Sequence, residues 1–255
     1  MRYKMNCDPE PDYEAMSGLL VAVIDEKHPE LLAGAWDWSK LDGEEWSLLL
    51  KDQPQFADIC DWSKLDDVEC AEVLAKQPQL VGKYDLADFD GEAWSILLRE
   101  QPQFADRCDW EKLNGIDWSE LLAERPQFAD RCDWSKLGGR SWACLLAAQP
   151  QFADRCDWAR LDNEPEVKGV EGYSWALLLA ERPQFADRCD FAKLGHTAWA
   201  VLLKSQPQFA DKCDCWGEMD GWHLTQLLKA QPQLADKCAC PSCTTQLLAC
   251  QTTDH

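Results

Sequence analysis

Gln149-Pro150-Gln151-Phe152-Ala153-Asp154-Arg155-Cys156-Asp157-Trp158 is one copy of a motif that recurs through most of this 255-residue chain. Prolines at 54, 78, 102, 126 and 150 each stand 24 residues apart; Pro183 follows after 33, Pro207 after 24 and Pro232 after 25. A fixed period in this range marks a tandem array whose units bury their apolar faces against neighbours. The reading is an all-α solenoid of stacked 24-residue helical repeats with terminal capping helices.

One full unit runs from Gly43 to Asp66, GEEWSLLLKDQPQFADICDWSKLD. Trp46, Leu49 and Leu50 at i, i+3, i+4 form the apolar stripe of a short α-helix. Asp42 suits its N-cap, because a carboxylate accepts from an orphan helix N–H. The helix is predicted to stop at Gln53, since a following proline disfavours the α region. Pro54 suits the first turn of a second helical segment, where its missing N–H costs nothing. Asp61 is a further cap, ahead of a short third segment carrying Trp62 and Leu65. No run of alternating β-branched residues appears, which argues against a β-solenoid.

The repeat aligns residue types into columns. One tryptophan column holds Trp46, Trp94, Trp118, Trp142, Trp175 and Trp199, with Cys70 and Leu224 as substitutes. A second holds Trp62, Trp110, Trp134 and Trp158, preceded by Trp38, with Leu86, Phe191 and Cys215 as substitutes. Each indole stands with leucine at helical spacing, so both columns read as core rather than as a stacking platform for a ligand. In residues 80–90 the aromatic and small positions exchange, giving Leu80, Tyr84, Leu86 and Phe89. Such compensation is what a volume-conserving core requires.

A third column is Cys60, Cys108, Cys132, Cys156, Cys189, Cys213 and Cys238. Stacked helical layers lie about 8–10 Å apart, and a disulfide needs Cα atoms within about 7 Å. Equivalent cysteines in adjacent layers are therefore expected to stay reduced and pack as small hydrophobes. The cysteine-rich end offers an alternative. Cys238, Cys240, Cys243 and Cys250 have thiolate spacings suited to zinc or an iron–sulfur cluster. The core register of Cys213 and Cys238 weighs against it, and the expectation is no cofactor.

Residues 1–28 read as an N-terminal arm and capping helix, 29–240 as the repeats, and 241–255 as a truncated capping repeat. Nine extra residues, 163–171, interrupt the period; Glu164, Glu166, Lys168 and Glu171 are the candidate partner-binding side chains there. Loops inserted into repeats often carry function. With no signal peptide and no 18-residue apolar stretch, the expectation is a cytoplasmic protein without membrane contact.

The formal charge of −21 argues against a direct nucleic-acid partner. Charge is columnar too. One acidic row includes Asp58, Asp106, Asp130, Asp154, Asp187, Asp211 and Asp236. Another is Asp61, Asp85, Asp109, Asp133, Asp157, Asp190 and Asp214. Between them runs Lys83, Arg107, Arg131, Arg155, Arg188, Lys212 and Lys237. The second acidic row is expected to cap the third segments and the basic row to bridge layers. Glutamines flanking the prolines are expected to form a layer-to-layer amide ladder. The four histidines share no repeat position, no catalytic spacing is found, and no phosphate-binding glycine loop occurs. A non-enzymatic scaffold for another protein is the expected function, as a monomer or weak homo-oligomer. The alternatives are an acidic nucleic-acid mimic that inhibits a DNA- or RNA-handling protein, and a metal or redox protein using the C-terminal cysteines.

The 24-residue period, the Leu-Leu helix ending before proline and the second short helix resemble the leucine-rich repeat variant family over residues 30–240. That resemblance implies an α-helix and a 3₁₀-helix per repeat, stacked into a right-handed superhelix. One member of that family carries an iron–sulfur segment beside its repeats. The tryptophan columns and the QPQFADRCDW motif depart from its pattern, and no functional residue carries over.

Overall fold

A computed structural model describes residues 38–162, 171–219 and 221–237. The expected capping segments at 1–28 and 241–255, Glu164, Glu166 and Lys168, and Cys238, Cys240, Cys243 and Cys250 lie outside the described residues. The chain divides into two compact units, Met1–Asp117 and Trp118–His255.

The described residues are all-α. Eight α-helices are present among them: α1 Gly43–Asp52, α2 Asp67–Lys76, α3 Gly91–Glu100, α4 Gly115–Glu124, α5 Gly139–Ala148, α6 Tyr173–Glu181, α7 His196–Ser205 and α8 Gly221–Ala230. A 3₁₀ segment starting at proline follows each, from Pro54–Asp58 to Pro232–Lys237, and in most repeats a shorter one begins at the aromatic position, as at Trp134–Lys136. Within the first unit α1 packs on α2 and α2 on α3; within the second, α5 packs on α6, α6 on α7 and α7 on α8. Each unit is thus a helical solenoid.

Local chemistry sets the helix ends. Asp42 accepts from Glu45 N–H at 3.0 Å while the Glu45 carboxylate accepts from Asp42 N–H at 2.9 Å, a closed capping box. Asp66 and Glu69 repeat it at α2. Gln53, at φ −130°, ψ 74°, ends α1 ahead of Pro54. The proline segment runs as 3₁₀ because only about six residues separate the helix end from the next capping aspartate, too few to repay an α nucleus.

Leucines fill the interior together with one indole in six of the eight described α-helices, Cys70 and Leu224 taking its place in the other two. Trp46, Trp94, Trp118, Trp142, Trp175 and Trp199 are each 0–2% exposed. The exchanged repeat does meet inside. Phe89 lies 5.4 Å from Tyr84 and 5.6 Å edge-on to Trp94, and Leu80, Leu86 and Phe89 are buried.

Layers are tied by backbone carbonyls as much as by apolar contact. Lys64 Nζ donates to Ser39 O and Leu41 O, both at 2.6 Å, one repeat back. Lys112 does the same to Ala87 O and Phe89 O, at 2.7 and 2.6 Å. The first glutamine of each motif reaches further. Gln149 Nε2 donates to Ala123 O at 2.5 Å, and Gln206 Nε2 to Ala180 O at 2.6 Å. Each acceptor is the penultimate residue of the preceding α-helix, whose last carbonyls have no intrahelical donor. Arg182, which replaces glutamine, donates its Nε–H to Ala147 O at 2.7 Å.

The expected amide ladder is therefore corrected. The second glutamine bonds the first within its own repeat, as Gln151 Nε2 to Gln149 Oε1 at 2.7 Å, and the first caps a neighbouring helix instead of a neighbouring amide. Layers approach so closely that a Cβ on Gly43 would collide with Lys64 O, and one on Gly139 with Arg160 O. Glycine at the first helical turn is what permits that approach.

Candidate functional site

Two features of most repeats face outward, the charged rows and the second aromatic column; in the repeat of Leu86 that position is buried. Both grow from the proline motif. Its 3₁₀ segment exposes the Asp-Arg pair at its end, then an extended cysteine, then the capping aspartate and the aromatic residue.

Four members of the second acidic row cap short segments, whereas Asp157 pairs with Arg160 at 3.4 Å. Asp61 accepts from Ser63 N–H at 3.2 Å and from Ser63 Oγ–H at 2.6 Å. Asp133 repeats this with Ser135 at 3.1 and 2.6 Å. Asp109 and Asp190 accept from the amides of Glu111 and Ala192. The serine hydrogen bonds hold Asp61 and Asp133 below the usual aspartate range. In the first acidic row Lys83 Nζ donates to Asp58 at 2.5 Å, and Lys237 pairs with Asp211. These lysines lower the Asp58 and Asp211 carboxyls as well. Every member of both rows is exposed, Asp58 and Asp61 through Asp214 and Asp236.

The basic row reaches back one repeat along two routes. Lys83 and Lys237 meet aspartates, whereas three others lie over aromatic faces. Arg155 Cζ is 5.4 Å from the Trp134 ring centre, Arg188 Cζ 4.7 Å from Trp158, and Lys212 Nζ 4.6 Å from Phe191. Cation–π contacts of this kind occur within about 6 Å. The same rings stack inward. Trp134 and Trp142 are 5.4 Å apart at 14°, and Trp158 and Trp175 are 5.6 Å apart at 14°. The order from outside in is cation, rim indole, buried indole.

This corrects the reading of the second column as sealed core. Trp62, Trp110, Trp134 and Trp158 are only half-buried. They sit at the start of short 3₁₀ turns, and at Trp134 and Trp158 the ring packs inward on a buried indole while an arginine lies over it. The cysteine column is corrected in the same sense: Cys60, Cys108, Cys132, Cys156 and Cys189 are half-buried, and Cys213 is buried. All six are free thiols, and burial pushes each of them up to about 12. They are protonated at neutral pH and poor nucleophiles there.

Of the insertion, Glu171 alone among the four candidate side chains is described. It is exposed, and its carbonyl accepts from Gly195 N–H at 2.8 Å. At the other end the insertion displaces Asp162 from capping; Gly172, at φ +68°, takes the N-cap of α6. Asp162 instead accepts from Trp175 Nε1–H at 2.7 Å and from Lys193 Nζ at 2.6 Å. Both ends of the insertion are thus pinned to the following repeats.

Among the described residues no group of three or more His, Cys, Asp or Glu side chains is placed to hold a metal ion, and no helix is long and apolar enough to cross a membrane. Sequence reasoning missed the Lys64 and Lys112 ties, although lysine recurs two residues after the rim tryptophan. It also missed the contact between Cys213 and Cys215. Comparisons with protein-family models, with curated proteins and with solved structures found no match.

Proposed function

We propose that the chain is a non-enzymatic binding scaffold whose partner is a basic protein surface. The observation that carries this reading is the pair of aspartate rows, every described member of which is exposed. Where hydrogen bonds from serine or lysine reach them, as at Asp58, Asp61, Asp133 and Asp211, these hold the charge. Rows of like charge on a rigid periodic support steer an oppositely charged partner and fix its register. Inside the repeats, the isolated thiols of Cys60, Cys108, Cys132, Cys156 and Cys189 are held protonated, which suits a support more than a reactive centre.

Titration of the full chain with an arginine-rich synthetic peptide, against neutral and glutamate-rich peptides of equal length, tests the reading. The basic peptide is expected to bind, with affinity falling on the order of tenfold between low and physiological salt as screening shortens to about 8 Å. Replacing Asp130, Asp133, Asp154 and Asp157 together by asparagine is expected to weaken it further. Equal binding of the basic and neutral peptides, or none of the basic peptide at low salt, would count against it.

A further inference from the structure

The turn after Pro207–Lys212 holds the one thiol–thiol hydrogen bond among the described residues. Cys213 Sγ and Cys215 Sγ are 3.8 Å apart. The cause is local. Cys213 is extended, at φ −79°, ψ 122°, and alternate residues of an extended chain project to the same side.

In the preceding repeats the second of these positions carries the rim ring, Trp134, Trp158 or Phe191, which lies over a buried tryptophan. Here the ring is replaced by the Cys215 thiol, and the buried tryptophan of this repeat by Leu224. Cys60, Cys108, Cys132, Cys156 and Cys189 lack a second thiol at that position. The result is an inner and an outer sulfur in contact: Cys213 is 8% exposed, and Cys215 is half-buried. Burial raises both thiols, Cys213 to about 12, while the hydrogen bond from Cys213 pulls Cys215 back down. The outer sulfur is therefore the better nucleophile, and the inner one is placed to resolve what it forms.

We propose that Cys213 and Cys215 form a dithiol site that reduces a low-molecular-weight disulfide and closes to an intramolecular disulfide. Cys215 gives up its proton to solvent, and its thiolate attacks one sulfur of the small disulfide. A mixed disulfide forms and one small thiolate leaves. Cys213 then loses its proton and attacks Cys215 Sγ, expelling the second small thiolate. Two protein thiols are oxidised, the small disulfide is reduced to two thiols, and the protons released end on the leaving thiolates. Contact between the sulfurs makes the second step effectively unimolecular. The closed loop is so short that it restrains little of the unfolded chain, so the bond serves exchange rather than bracing. Attack quickens as pH rises and the thiolate fraction grows.

Trypsin cuts after Lys212 and Lys229, giving a peptide, Cys213–Lys229, with these two cysteines and no other. The reduced full-length chain is incubated with oxidised glutathione, unfolded in iodoacetamide and digested. That peptide is expected to be lighter by two hydrogens and to carry no alkyl group, while the Cys132–Lys136 peptide remains alkylated. Cys213→Ser is expected to trap glutathione on Cys215. A wild-type Cys213–Lys229 peptide that is doubly alkylated, or linked to a different cysteine peptide, overturns the proposal. So does a folded Cys213→Ser chain without the adduct. The wild-type measurement needs no substitution, so it decides even if the variant fails to fold.

Discussion

Trp142→Ala is expected to lower stability by ~3–5 kcal/mol, the range for truncating a fully buried aromatic side chain. Trp142 is 1% exposed and shares its layer with Leu145 and Leu146, both at 0%. It also backs the Trp134 ring, so its removal loosens the rim as well as the interior. Trp134→Ala is expected to cost clearly less, because that ring is only half-buried, with the Arg155 side chain over it. Trp142→Phe separates packing from polarity. The indole N–H of Trp142 finds no acceptor among the described residues, as do those of Trp46, Trp94 and Trp199. Phenylalanine removes that orphan donor while keeping a ring, so it is expected to be milder than alanine. Chemical denaturation of the three variants checks the order. A loss under about 1 kcal/mol for Trp142→Ala would place it on the surface.

Raising the pH from 8 to 10.5 under reducing conditions is expected to lower the melting temperature steeply. Burial raises Cys60, Cys70, Cys108, Cys132, Cys156, Cys189 and Cys213 from 9.0 to about 12 in the folded chain. Below pH 9 folded and unfolded chains hold the same thiol protons, and this contribution is intact. Between 9 and 12 the unfolded chain releases protons that the folded chain keeps, so stability falls as pH rises. Each thiol contributes a slope of at most about 1.4 kcal/mol per pH unit. Lysines and tyrosines titrate in the same window, so the comparison is with Cys132→Ala/Cys156→Ala. That variant is expected to lose less on going from pH 8 to 10.5. Equal losses would show that those two thiols ionise as freely folded as unfolded.

What could be read from the sequence was whatever a few neighbouring residues decide. Asp42 caps α1, Pro54 ends it at the preceding glutamine, and Asp61 caps the next short turn, because each acts within four residues. The period itself came from the prolines. Features that depend on how far one layer is offset from the next could not be read. Gln149 meets Ala123 O and Lys64 meets Leu41 O only because stacking brings those carbonyls opposite. The two tryptophan columns looked alike, since each pairs with leucine at helical spacing. Trp142 lies mid-helix and Trp134 opens a three-residue turn, so one is sealed and the other forms the rim. The insertion was visible as nine extra residues, but the transfer of Asp162 from cap to indole acceptor required coordinates.

Stacking of the repeats seals one indole column and leaves the other at a half-buried rim, where Arg155 and Arg188 lie over Trp134 and Trp158. Hydroxyl-radical labelling of the native chain, resolved residue by residue by mass spectrometry, measures this directly. Trp142 and Trp199 should be almost unmodified, Trp134 and Trp158 should react at intermediate rates, and Trp222, 67% exposed, should react fastest. Oxidation of Trp142 as rapid as that of Trp134 would contradict it.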